Sequence, residues 1–124
     1  MAKQVLIVDD SALVRRQLTE MIETLGYDIE TAKNGQEAVN KALQKQYDVI
    51  TMDINMPVMD GIEAVKQIMA KKPTAILMIS SLTTEDATIT MDALDFGAVD
   101  YIAKPGTMNV GKRENREDIL TKVK

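Results

Sequence analysis

Short, continuously apolar segments alternate along this chain with longer segments in which apolar residues recur at helical spacing. The short segments are rich in β-branched side chains, which is typical of strands buried on both faces of a parallel sheet. Four of them stand out: Val5–Val8, Val49–Met52, Ile76–Ile79 and Tyr101–Ala103. A weaker, alternating segment at Asp28–Ala32 is predicted to be a further strand. Five β-α units of this kind predict a doubly wound α/β sandwich of the flavodoxin-like type.

Helices are predicted in the intervals between these strands. Their expected bounds are about Ser11–Leu25, Gly35–Gln44, Gly61–Lys71 and Thr84–Phe96. In the first helix, Gly26 is the expected C-terminal stop, and the core-facing residues are expected to be Leu13, Leu18, Met21, Ile22 and Leu25. The second helix is expected to bury Ala38, Val39 and Ala42, and the third Ile62, Val65, Ile68 and Met69.

The chain is long enough for one domain with one hydrophobic core, at 124 residues. Residues 1–105 are predicted to form that core, with the last strand starting at Ala98 or Val99. Residues 106–124 are predicted to be a loop followed by a weak C-terminal helix at Glu114–Val123 or the start of a linker, because only Ile119, Leu120 and Val123 could anchor it.

The amino-acid composition excludes several kinds of chemistry and of partner for this chain. The net charge of −4 offers no basic surface for nucleic acid, so no nucleic-acid partner is expected. The chain contains neither Cys nor His, which excludes thiolate chemistry, zinc bound by sulfur or imidazole, and phosphohistidine on this chain. No signal segment or membrane insertion is predicted, and a cytoplasmic location is the default expectation. Carboxylates, hydroxyls and lysine must therefore carry any chemistry.

Polar residues of these kinds follow the predicted strands directly. Asp9 and Asp10 follow the first strand, Asp53 the third, Ser80–Ser81 the fourth, and Lys104 the fifth. Parallel strands bring their carboxyl ends to one edge of the sheet, where open α/β sheets bind ligands. A strand order of 2-1-3-4-5 would make the first and third strands neighbours. The three aspartates would then lie together, with hydroxyls and an ammonium beyond them.

Three carboxylates about 5 Å apart repel one another by roughly 3 kcal/mol per pair at an effective dielectric constant near 20. The cluster therefore needs protonation or a hard cation, and Mg²⁺ fits best because it prefers oxygen ligands and often completes its shell with a substrate phosphate. Once the charge is neutralised, one carboxylate can attack phosphorus and form an acyl phosphate. A hydroxyl and an ammonium would hold the phosphoryl oxygens.

Taken together, Asp9-Asp10-Ser11, the stretch Met52–Gly61 and Lys104-Pro105 resemble the receiver domain of two-component response regulators, over roughly Lys3 to Pro105. The resemblance implies that Asp53 is the phospho-acceptor and that a histidine kinase is the phosphoryl donor. It also implies self-catalysed phosphorylation and dephosphorylation of the domain.

The same resemblance assigns the remaining site residues. It implies that Mg²⁺ is held by Asp9, Asp10 and Asp53, with the backbone carbonyl of Asn55 as a further ligand. It makes Ser80 the hydroxyl that follows the phosphoryl group, Lys104 its counter-ion and Tyr101 a rotamer switch. The resemblance therefore predicts a site of seven residues: Asp9, Asp10, Asp53, Asn55, Ser80, Tyr101 and Lys104.

Within that family, Ser80–Thr83 and Ala98–Gly106 are most similar to the receiver of the chemotaxis protein-glutamate methylesterase. This narrower resemblance implies an output partner on the face formed by helix 4, strand 5 and helix 5, such as a methylesterase catalytic domain. A chain without His cannot supply that enzyme's Ser-His-Asp triad, so no esterase activity is expected from it. It is either an excised regulatory domain or a stand-alone receiver that signals by binding proteins, and both interpretations stay open.

Some of these residues also have simpler structural interpretations, and two other classes of protein can be considered. Asp10 or Ser11 could merely cap the first helix, and Ser80 and Tyr101 could be ordinary strand-end and packing residues. An aspartate-nucleophile phosphatase of the haloacid dehalogenase type needs a second Asp where this chain has Asn55. A nucleotide-binding module needs a glycine-rich phosphate loop, and neither common form of that motif occurs.

Overall fold

The computed structural model describes residues 3–54, 59–80 and 84–103, in which strands and helices alternate. The strands are β1 (Gln4–Val8), β2 (Asp28–Ala32), β3 (Val49–Asp53), β4 (Ile76–Ser80) and β5 (Asp100–Ala103). The helices are α1 (Ala12–Glu23), α2 (Gly35–Gln44), α3 (Gly61–Lys71) and α4 (Thr84–Asp95). The predicted C-terminal helix at Glu114–Val123 lies outside the described residues.

The strands form one parallel sheet in the order β2-β1-β3-β4-β5. This is the order predicted from the sequence, and it confirms the doubly wound fold. Every residue of the central strand β3 is buried, which explains why its sequence is apolar before Asp53 apart from Thr51. The order also makes β1 and β3 neighbours, so the loops that follow these two strands lie side by side.

Each face of the sheet carries its own hydrophobic core. On one face, α1 contributes Val14, Leu18 and Ile22. The other face is covered by α2, α3 and α4, which contribute Ala38, Val39, Ala42, Ala64, Val65, Ile68 and Ala93. The alanines let α2 and α3 lie close to the sheet, and the predicted core positions of both helices are confirmed, with Ile62 and Met69 partly buried at the margin.

Four details differ from the expectations. Helix α1 spans Ala12–Glu23, which is shorter at both ends than the predicted Ser11–Leu25. Leu13 is 62% exposed, and Val14 is buried in its place. The reason is helical spacing: Val14, Leu18 and Ile22 recur every four residues and form the inward stripe, whereas Leu13 is five residues before Leu18 and faces away from it. Helix α4 ends at Asp95, one residue early, and β5 begins at Asp100, one or two residues late.

A polar cluster covers the outer edge strand β2. Lys45 forms an ion pair with Glu30, and Lys41 donates to the carbonyl of Thr31. The hydrogen bond from Lys45 holds the pKa of Glu30 below its usual value. Burial, reinforced by the negative charge of Glu30, raises the pKa of Tyr47 to about 12. Protecting an edge strand in this way limits its pairing with other chains.

None of the helices in the described parts of the chain is both long and apolar enough to cross a membrane.

Candidate functional site

Strands β1 and β3 deliver two aspartates to the same point on the carboxyl edge of the sheet. Val8 pairs with Met52, so the residues that follow them, Asp9 and Asp53, are also neighbours. The N–H of Asp9 donates to the carbonyl of Ala32 at 3.1 Å, which continues the pairing of β1 with β2 past the end of the strand. Asp9 is 0% exposed and Asp53 is 3% exposed. Both carboxylates are therefore held by regular sheet geometry.

Asp10 completes a cluster of three carboxylates. It is exposed, unlike the other two, and one ligand atom from each of Asp9, Asp10 and Asp53 lies within 4.8 Å of the others. Among the described residues this is the group that could hold a metal ion. Oxygen donors of this charge and density suit a hard divalent cation. The structure thus brings together the three acids that the sequence predicted to converge.

The β1–α1 loop holds Asp9 from two further directions. The N–H of Ser11 donates to Asp9 Oδ1 at 2.9 Å, and Arg15 Nη1 donates to the Asp9 carbonyl at 2.7 Å. Ser11 is also the cap of α1, because its Oγ accepts from the N–H of Val14 at 3.3 Å. The capping interpretation of Ser11 is therefore confirmed, and it coexists with the acidic cluster.

Two glycines allow backbone to pack closely against the loop after β3. Gly61 donates to the carbonyl of Ile54 at 2.9 Å, and a Cβ at position 61 would overlap the carbonyl of Asp53. Gly35, at the start of α2, donates to the carbonyl of Met59 at 3.0 Å, and a Cβ there would overlap that same carbonyl. The starts of α2 and α3 therefore fix both ends of the segment from Ile54 to Asp60.

The other predicted site residues lie toward β4 and β5. Ser80 ends β4 at the same edge of the sheet and pairs with Ala103. Tyr101 pairs with Met78 and is 42% exposed. It lies two strands away from β3, or roughly 10 Å in a sheet with a spacing of about 4.8 Å. Asn55 and Lys104 lie outside the described residues, so their roles stay predictions.

Sequence reasoning missed three residues that shape this site: Arg15, Gly35 and Gly61. For Gly61 the sequence contains a local signal, because this glycine directly follows Asp60, the N-cap of α3. Gly35 likewise follows the cap of α2 at Asn34. Arg15 had no such signal, because its contact with Asp9 depends on how the first turns of α1 lie against the end of β1.

The geometry agrees with the comparison to known families. The response regulator receiver domain family matches residues 5–115, so the chain belongs to the response regulator receiver domains.

Within that family the chain is similar to the receivers of chemotaxis methylesterases. It is 55% identical, over 98% of its length, to the protein-glutamate methylesterase/protein-glutamine glutaminase 2 of Carboxydothermus hydrogenoformans, and 50% identical over 97% to the corresponding protein of Archaeoglobus fulgidus. The chain spans only 35% of the length of each of these relatives.

Solved structures give the same result. The response regulator domain of Thermotoga maritima CheB is 47% identical and superimposes with a TM-score of 0.85, covering 99% of this chain and 94% of that one. The chemotaxis response regulator CheY4 of Vibrio cholerae is 34% identical, with a TM-score of 0.83 and full coverage of both chains. These likenesses confirm the resemblance to chemotaxis receivers.

Proposed function

We propose that this chain is the phosphorylation-controlled regulatory domain of a chemotaxis protein-glutamate methylesterase, with Asp53 as the phospho-acceptor. The observation that carries the proposal is the convergence of three carboxylates within 4.8 Å at the ends of β1 and β3. Membership of the receiver family and the similarity to methylesterase receivers support the same function. As proposed, the donor is the phosphohistidine of a separate histidine kinase, because this chain contains no His.

The transfer step follows from carboxylate chemistry. An oxygen of Asp53 attacks phosphorus, forming an O–P bond as the N–P bond of the phosphohistidine breaks, and the leaving imidazole nitrogen takes up a proton. The result is an acyl phosphate. Asp53 is suited to this role because it is the last residue of a buried strand and the residue after it, Ile54, accepts a hydrogen bond from Gly61. A nucleophile held in place in this way loses little freedom on reaction.

Asp9, Asp10 and Asp53 would hold Mg²⁺, together with the carbonyl of Asn55. When bound, the ion neutralises the carboxylates and the incoming phosphoryl oxygens. The buried position of Asp9 and the exposed position of Asp10 suit these groups to different tasks. Asp9 would be a buried ligand of the ion, and Asp10 would be a solvent-exposed one.

The switch is proposed to run through Ser80, Lys104 and Tyr101. The Ser80 hydroxyl and the Lys104 ammonium would contact the phosphoryl oxygens by charge-assisted hydrogen bonds, and Tyr101 would turn inward as β4 and its following loop move. The partial exposure of Tyr101 supports this role, because a half-exposed side chain has room for a second position.

The output surface is proposed to be α4, β5 and the C-terminal segment, with a methylesterase catalytic domain as the partner. Exposed large apolar side chains on and next to α4 and β5 support an interaction there: Met91, Phe96, Val99 and Tyr101. The relatives are about three times as long as this chain, in keeping with a further domain in those proteins.

Phosphorylation can be tested by intact mass spectrometry after incubation with acetyl phosphate and Mg²⁺. We expect one added phosphoryl group, absent with EDTA and absent in Asp53→Asn. Asp92→Asn is the matched control, since Asp92 is an exposed carboxylate on α4. An adduct that survives in Asp53→Asn would overturn the assignment. Continuous hydrolysis of acetyl phosphate without an adduct would favour a small phosphatase.

The switch can be tested separately with Ser80→Ala. This variant should still become phosphorylated, but the NMR shift changes near Tyr101 on adding beryllofluoride should shrink. Unchanged shifts in the variant would contradict coupling through Ser80.

A stand-alone receiver that signals by binding another protein is the second candidate, favoured by the full mutual coverage with CheY4. Hydrogen exchange distinguishes the two. Slower exchange across Glu114–Val123 and α4 when a methylesterase catalytic domain is supplied would support the regulatory domain. Exchange that is indifferent to that domain would favour the stand-alone receiver.

A further inference from the structure

We infer that Arg15 is a positioning residue that orients Asp10 toward the metal by holding the peptide between Asp9 and Asp10. Arg15 Nη1 donates to the carbonyl oxygen of Asp9 at 2.7 Å. That carbonyl belongs to the peptide unit that joins the two acids. The inference rests on the proposed metal site and adds a residue to its support.

Asp10 depends on the backbone for its direction. Within residues 3–54, 59–80 and 84–103, its carboxylate has no hydrogen bond or ion pair. By contrast, Asp9 is buried, continues the ladder to Ala32 and accepts from Ser11. A change in the ψ angle of Asp9 would turn the Asp9 carbonyl and displace Asp10, whereas the N–H of Asp9 would keep its partner Ala32.

Arg15 is placed to prevent this rotation. It lies on α1 and is partly buried, and the Asp9 carbonyl is its hydrogen-bond partner among the described residues. The backbone N–H of Arg15 donates to the carbonyl of Ser11 at 3.0 Å. The planar guanidinium holds its N–H donors in a fixed arrangement, and charge-assisted hydrogen bonds are stronger than neutral ones.

The adjacent residue supplies a matched control. Arg16 is one position further along α1, and its side chain is 78% exposed. Its Nε forms an ion pair with Glu20 Oε1 at 3.3 Å. Replacing either arginine with Gln removes one positive charge from the same end of the molecule. Only Arg15→Gln also removes the contact with the Asp9 carbonyl.

The direction of the change in Mg²⁺ affinity distinguishes a positioning role of Arg15 from a purely electrostatic one. Removing a cation near three carboxylates should strengthen binding of a divalent cation by electrostatics alone. Loss of positioning should weaken it. Removal of outer-shell partners typically costs 10–100-fold in metal affinity, and we expect about tenfold weaker Mg²⁺ binding in Arg15→Gln.

Isothermal titration calorimetry with MgCl₂ tests this on the wild-type chain, Arg15→Gln, Arg15→Lys and Arg16→Gln. Affinity should fall in Arg15→Gln, fall less in Arg15→Lys, and be equal or slightly tighter in Arg16→Gln. The metal-free Asp10 amide resonance should shift in Arg15→Gln and not in Arg16→Gln. At saturating Mg²⁺, the rate of phosphorylation by acetyl phosphate should recover toward that of the wild type.

Several outcomes would overturn the inference. Binding in Arg15→Gln as tight as in the wild type, or tighter, would show that the arginine does not position Asp10. If Arg15→Gln fails to fold, wild-type affinity together with an unmoved Asp10 amide in a folded Arg15→Met, which keeps the length of the side chain without a donor, would have the same force. A wild-type chain that binds no Mg²⁺ would overturn the proposed metal site and this inference with it, whereas normal wild-type binding with unchanged variants overturns the inference alone.

Discussion

One row of side chains crosses the sheet from its centre to its edge, and the two ends of that row differ sharply. Val8, Met52 and Met78 are each 0% exposed, whereas Tyr101, which pairs with Met78 on the edge strand β5, is 42% exposed. The acidic cluster stands directly above the buried end. The residue proposed to be the switch stands at the exposed end.

This difference in exposure agrees with the different requirements of the acidic cluster and of the proposed switch. A cluster of carboxylates needs a rigid frame, because small displacements change both metal binding and the angle of attack on phosphorus. A switch needs a side chain whose positions differ little in energy, which is achievable only where packing is incomplete. The buried strands supply the first condition and the edge strand supplies the second.

The largest expected effect is a loss of stability when a buried side chain beneath the aspartates is truncated. Truncation of Met52 to Ala should lower the free energy of unfolding by about 2–5 kcal/mol, because it leaves a cavity under Asp53. Tyr101→Ala, in the same row, should cost about 1 kcal/mol or less, since much of that side chain is already exposed. Urea denaturation of both variants measures the difference. Equal losses would break the comparison between the two ends.

Mg²⁺ should stabilise the acidic end selectively. At a concentration one hundred times its dissociation constant, a bound ligand raises the free energy of unfolding by about 2.7 kcal/mol. In the absence of metal, Asp10→Asn should instead stabilise the chain slightly, because it removes repulsion among the three carboxylates. Thermal melts with Mg²⁺ and with EDTA test both signs. A destabilised metal-free Asp10→Asn would mean that the carboxylates do not repel in the folded state.

Gly61→Ala should perturb the frame and the site together. A Cβ at this position overlaps the Asp53 carbonyl, so backbone must shift, at a cost of about 1–3 kcal/mol. Mg²⁺ affinity should fall as well. Gly26→Ala is the control: Gly26 has φ of 79° but open space around it, so strain should lower stability while Mg²⁺ binding is unchanged. Weakened binding in Gly26→Ala would show that global stability, not local geometry, controls the site.

The smallest effect is expected at the opposite edge of the sheet, around Tyr47. Its pKa is raised to about 12 from an ordinary value of 10.0, so the unfolded chain loses this proton first. The stability it contributes is complete below pH 10 and is lost as pH rises through 12. Tyr47→Phe should cost about 1 kcal/mol at neutral pH, and the difference from wild type should narrow between pH 10 and 12. Urea denaturation across that range measures the trend, and a constant difference would contradict it.

Sequence determined much of this molecule because the signals are local. Continuous apolar runs identify β1, β3 and β4, helical periodicity identifies the helices between them, and chain order places Asp9, Asp10 and Asp53 at strand ends. Parallel pairing then brings those ends to one edge. The fold, the strand order and the convergence of the acids could all be predicted for these reasons, and the structure confirms them.

Tertiary structure alone decided the features that depend on how elements lie against one another. The need for glycine at positions 35 and 61 comes from the close approach of two helix starts to one loop. The contact of Arg15 with Asp9 arises because α1 packs back against β1. A periodic sequence pattern reports which face of an element is buried, but such distances are set only when the elements pack together.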